Sequence, residues 1–189
     1  MNIEELAFVA AVRLHFSFLE NEFGFRVVGH NAGCVRYESE AVFVEVFLEM
    51  PFFQIELAIG LRDQLRPGHS GYSIHYLVRL LNGESFFRYQ DRFGRTKCEV
   101  DGAVDELSKL LHSCGERALQ GDVDVFAAMR EISNFDMEQI RLRKIRSDAE
   151  AAFQHKEYCQ SAELYSSMEP HLTATEVKKL AYARKHAME

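Results

Sequence analysis

The sequence predicts an α+β fold: an N-terminal helix packed on a four-stranded antiparallel meander, then a helical C-terminal half ending in a helical hairpin. Three observations predict it. The first residues place apolar side chains three and four apart, residues 25–62 change to strict alternation, and from about Asp101 the helical period returns. The 189 residues suffice to bury a core without disulfides or metals. The expected division is an α+β domain over 1–134 and a hairpin plus terminal helix over 135–189, expected to pack on the first part.

IEELAFVAAVRLHFSFLENEFGF reads as one amphipathic helix of about five turns. Leu6, Val9, Val12, Phe16 and Leu19 share a face, Asn2 is placed to cap the start ahead of Glu4 and Glu5, and Gly24 is the expected stop. Val27 and Val28 lead into the turn-rich GHNAG, and CVRYES resumes as the second arm of a hairpin. In AVFVEVFLEM, Val42, Val44, Val46 and Leu48 point one way, and Phe43, Glu45, Phe47 and Glu49 the other. Pro51 ends that run, and FQIELAIGL continues with Phe53, Ile55, Leu57, Ile59 and Leu61 inward and Gln54 and Glu56 outward. Alternation with acids outside describes a sheet covered on one face.

RDQLRPGHSG reads as a loop, YSIHYLVRLLN as a short helix with Ile74, Leu77, Val78 and Leu81 on one stripe, and GESFFRYQDRFGRTKCEV as irregular or partly extended. Val104, Leu107, Leu111 and Cys114 then mark a helix. Gly121 and Asp122 punctuate it, Asp122 capping a helix through Val125, Phe126 and Met129, and Asn134 or Asp136 is expected to cap a further long helix ending near Gln154.

Leu142, Ile145, Ala149 and Ala152, then Tyr158, Ala162, Tyr165 and Met168, mark two helices joined by a short link, an antiparallel hairpin. Thr173 and Glu176 form a capping box opening a third helix with basic residues toward its end. Phe153, Tyr158, the small Ser161, Tyr165 and Pro170 give residues 153–170 a pattern that resembles a tetratricopeptide repeat. Lys156 stands where the turn of that repeat usually has Gly, and the first helix lacks the usual aromatic and Leu-Gly signature. No second copy lies upstream, so a solenoid, which needs about three repeats, is excluded. The chain also resembles small bacterial immunity proteins of polymorphic toxin systems, through FSFLENEFGFR running into VRYESEAVFVEVF and the ending LTATEVKKLAYARKH. That resemblance implies a cytosolic α+β binding protein with no catalytic residues.

The formal charge is −7 and is concentrated early: residues 1–62 hold nine acidic and four basic side chains, whereas residues 135–189 hold nine of each. Phosphate binding relies on Lys and Arg, so no nucleic acid partner is expected and a basic protein partner is favoured. The four cysteines form no C-x-x-C pair and no zinc spacing, consistent with reduced thiols in the cytoplasm. The first residues, with Glu4, Glu5, Arg13 and His15 around the apolar run, fit neither a signal peptide nor a membrane span.

Catalytic motifs fail on spacing. GHSGYS places Gly71 directly after Ser70, which breaks a nucleophile elbow. GHNAGC gathers His30, Asn31 and Cys34 in a turn, where a thiol protease draws such groups from distant parts of the sequence. No two His flank a Glu at helical zinc spacing. FFRYQDRFGRTK mixes aromatics with Arg as a single-strand nucleic-acid platform does, but in an acidic chain it reads as a loop anchored by its aromatics. The expected function is non-enzymatic protein binding without cofactor or metal, of the immunity type, in which an acidic, aromatic surface plugs a basic toxin domain. The expected contacts are Phe43, Glu45, Phe47, Glu49 and Glu56, with Tyr158 and Tyr165 on the hairpin as the other surface. The alternatives are a hydrolase-like enzyme assembled from dispersed His and carboxylates, and a structural homodimer joined through the tail.

Overall fold

A computed structural model describes residues 7–64, 71–82 and 92–187. The expected Asn2 cap with Glu4, Glu5 and Leu6, the loop residues 65–70 with His69 and Ser70, and residues 83–91 of the aromatic, Arg-rich segment lie outside them. The chain divides into two compact units, Met1–Ser133 and Asn134–Glu189.

The first unit is α+β. Its opening helix is two, α1 (Phe8–His15) and α2 (Ser17–Phe23), where the sequence reads as one. The break falls at Phe16, at φ −94 and ψ 12, where the Ser17 hydroxyl donates to the Leu14 carbonyl at 2.9 Å. A serine bonding back to the preceding turn bends a helix. The predicted stripe survives: Val12, Phe16 and Leu19 are wholly buried, and each such side chain is worth about 1.5–3 kcal/mol. Gly24 ends α2 at φ 70, a left-handed conformation that suits glycine.

The meander follows as β1 (Arg26–Asn31), β2 (Cys34–Glu38), β3 (Val42–Glu49) and β4 (Gln54–Leu61). Gly29, His30 and Asn31 belong to β1, so the turn is shorter than GHNAG suggests; the Asn31 side chain accepts from the Gly33 N–H at 2.9 Å. Two further two-residue strands, β5 (Tyr72–Ser73) and β6 (Arg92–Phe93), both pair with β4, giving a six-stranded sheet. Two residues are too few to show alternation. The inner face buries Val35, Tyr37, Val44, Val46, Leu57 and Ile59 completely. Phe53, expected inward, sits at φ 58 and is partly buried against the core.

Helix α3 (Ile74–Asn82) buries Ile74, Leu77 and Val78 as predicted, but Leu81 is 53% exposed and Leu80 packs instead. Helix α4 (Lys97–Cys114) starts four residues before Asp101. A capping box explains the start: Thr96 Oγ1 accepts from the Glu99 N–H, and the Glu99 carboxylate accepts from the Thr96 N–H. After the short α5 (Glu116–Leu119), Gly121 turns the chain at φ 83 and Asp122 accepts from the Asp124 N–H at 3.0 Å. Helix α6 then runs unbroken from Val123 to Gln154. No cap operates at Asn134 or Asp136. With neither Gly nor Pro between its ends, helix propagation passes through both polar residues.

The second unit holds the rest of α6 with α7 (Tyr158–Ser167) and α8 (Ala174–His186). Leu142, Ala149, Ala162, Tyr165, Met168, Leu180 and Ala183 form its core. Lys156 takes φ 64 in the α6–α7 turn, the left-handed conformation that Gly usually supplies. Ser161 is fully buried and its hydroxyl donates to the Ala149 carbonyl at 3.1 Å. The Thr173–Glu176 capping box opens α8, and Glu176 also takes Arg146 Nε at 2.6 Å.

Candidate functional site

Strand register assembles the outer face of the sheet into rows. Gly60, Phe43 and Glu38 form one; Ala58, Glu45 and Arg36 the next; then Glu56, Phe47 and Cys34; then Phe93, Gln54 and Glu49 beside the β3–β4 turn.

The first two rows are closed. Phe43 is 1% exposed, with its ring against Gly60 and the Arg36 guanidinium 4.2 Å from its centroid, so it offers no contact area. Arg36 Nε lies 2.9 Å from Glu38 and Nη1 3.8 Å from Glu45, and Arg62 Nε is 3.1 Å from Glu38. Cys34 Sγ donates to Glu45 at 3.1 Å, and burial, then Glu45, push its thiol up to about 12. The expected acidic character is therefore largely cancelled here. Carrying the alternation back into CVRYE puts Arg36 on this face, a signal the sequence offers.

The last two rows are open only toward the turn and β6; Cys34 and Gln54 are half-buried. Phe47 and Glu56 are half-buried, Glu49 is exposed, and Gln54 Nε2 donates to Glu56 at 2.9 Å. Around them the turn and β6 expose Met50 (41%), Phe52 (63%) and Phe93 (46%). Sequence reading missed these three because none lies in an alternating run: Met50 and Phe52 flank Pro51, and Phe93 sits in a two-residue strand. Exposed apolar side chains thus follow Glu49 in the turn and, through β6, stand opposite Gln54.

The two tyrosines divide. Tyr165 is fully buried, and its hydroxyl donates to Glu150 at 3.0 Å; burial, then that bond, raise its phenol to about 12. It serves the core of the second unit. Tyr158 is half-buried and belongs to a surface aromatic cluster.

A cleft of about 570 Å³ lies between α1–α2 and α4, lined by Leu14, His15, Phe18, Asp105, Ser108, Lys109 and His112. His15 meets Asp101 at 3.0 Å and Asp105 at 3.4 Å, and His112 meets Glu22 at 3.0 Å. Both imidazoles tie helices together. The Ser108 hydroxyl donates to the Asp105 carbonyl, so it is not aligned with a histidine base. His30 and Cys34 sit at opposite parity in the sheet, since His30 pairs with Val35 and Cys34 with Asn31. Among the described residues no group of three His, Cys, Asp or Glu is placed to hold a metal.

Comparison with protein-family models, with curated proteins and with solved structures finds no match to this chain.

Proposed function

We propose that this chain is a non-enzymatic protein-binding protein, and that its docking surface is the turn end of the outer sheet face. The observation that carries this reading is the exposure of Met50, Phe52 and Phe93 around Phe47, Glu49 and Glu56. Aromatic and Met side chains are enriched at interface cores, and an exposed apolar patch rimmed by charge is a usual sign of one. Glu49 has no side-chain partner among the described residues, so a basic partner is the electrostatic match. An immunity-type role, plugging a basic toxin domain, fits this chemistry. The tetratricopeptide-like reading of the hairpin is supported by the small Ser161 at the α6–α7 approach and by the left-handed turn conformation that Lys156 adopts in place of the usual Gly. Four free cysteines, two of them exposed, support a reducing, cytoplasmic home. Among the described residues no helix is long and apolar enough to cross a membrane.

The test is quantitative capture of the partner from source cells by the intact chain, by Glu49→Lys/Glu56→Lys and by Phe52→Ser/Phe93→Ser. Both variants should keep the far-ultraviolet spectrum of the parent and lose a basic partner by about tenfold or more. Undiminished capture by both folded variants refutes the assignment.

A homodimer joined through the tail is a second reading. It is favoured by Phe135, Met137 and Ile140, exposed on α6 at 58%, 60% and 51%. If it holds, Met137→Glu/Ile140→Glu halves the mass measured by light scattering.

A further inference from the structure

The second unit presents an end of different chemistry. Phe153 closes α6, Tyr158 opens α7, and Tyr182 lies on α8; their ring centroids are 5.5 to 5.8 Å apart, and all three pairs meet edge to face. Tyr182 remains 47% exposed and packs 4.3 Å from His186. On α8, Lys178 and Lys185 stand four before and three after Tyr182, which puts all three on one face. Lys156 occupies the turn beside Phe153, its N–H donating to the Phe153 carbonyl at 3.1 Å.

The other cations near this end are committed. Lys179 binds Glu150, Arg146 binds Glu176, and Arg184 lies 3.7 Å from Glu169 and 3.0 Å from the Ser166 hydroxyl. Lys156, Lys178 and Lys185 are exposed and have no side-chain partner among the described residues. The nearby carboxylate at the turn is Glu157, which is exposed.

We propose that this end is a second docking site, for a short acidic segment of a protein partner: Tyr158 and Tyr182 supply the apolar platform, and Lys156, Lys178 and Lys185 supply the charge. A protein segment fits better than a single-stranded nucleic acid. Base stacking needs free ring faces, and here the rings are turned edge-on to one another. The −7 charge of the chain also repels a long polyanion while leaving a short acidic segment accessible to a local cationic stripe. With the sheet surface, this gives the chain two docking chemistries of opposite sign.

The experiment is fluorescence anisotropy on the full chain with a fluorescein-labelled peptide of repeated Glu-Glu-Leu triplets. A Lys-Lys-Leu peptide and an oligo-dT strand serve as comparisons. The acidic peptide should bind best and weaken as salt rises. Lys178→Glu/Lys185→Glu should cost about tenfold or more in affinity, Tyr182→Ala should weaken binding, and Glu157→Gln should strengthen it. The charge-neutral Phe52→Ser/Phe93→Ser should leave it unchanged, which separates this site from the sheet surface. Should the reversal variant fail to fold by circular dichroism, Lys178→Gln/Lys185→Gln gives the same comparison with a smaller expected loss. Equal binding of the acidic and basic peptides overturns the proposal, as does affinity indifferent to the lysines. Tighter binding of oligo-dT overturns it in favour of nucleic acid.

Discussion

Phe43 shows what a single residue decides. Alternation identifies the face it occupies but not whether that face is open. Its ring fills the space above Gly60, where an added Cβ would fall 2.6 Å from Phe43 Cε1. Gly60→Ala should therefore cost about 1–3 kcal/mol, read as a lower urea midpoint, and Phe43→Leu in the same chain should recover part of it. A neutral Gly60→Ala would mean that the ring moves freely. Glu150 sets a pH dependence. The hydrogen bond from Lys179, then those from Tyr165 and Gln154, hold its carboxyl below the ordinary range. A depressed folded-state value means its stabilisation is complete above the ordinary glutamate value of about 4.3 and is lost as pH falls through the folded value. Glu150→Gln should lower stability at pH 7 and narrow the gap between pH 7 and pH 3; an unchanged gap would remove Glu150 from that role.

At the scale of elements, the legible parts of the fold are those where one periodicity holds long enough. Strands β2 to β4 and the stripes of α4 and α7 follow their apolar spacing. The break at Phe16 was not legible, because the stripe through Val12, Phe16 and Leu19 runs across it. The start of α4 was legible in the T-K-C-E of residues 96–99, a capping box signature that apolar spacing alone overlooks. Thr96→Ala should destabilise the first unit by about 1 kcal/mol and Thr96→Ser by much less, measured by chemical unfolding. Equal losses would show that the hydroxyl is not the cause.

For the whole molecule, half of the candidate surface was legible. Phe47, Glu49 and Glu56 follow from alternation, whereas Met50, Phe52 and Phe93 emerge only when the turn and β6 are brought beside them. The closed half, with Phe43 and Glu45, depends on Arg36 and Arg62, which arrive from other strands and from the 3-10 turn after β4. Charge counted along the sequence could not reveal that pairing. On the proposed function, the open half meets a basic partner. The most direct test replaces Phe52 with a photo-crosslinking phenylalanine in the full chain within source cells, with the same replacement at exposed Ala127 as control. A basic protein joined at position 52 and not at 127 is the predicted result. No adduct at 52, equal adducts at both positions, or an acidic protein at 52 would contradict it.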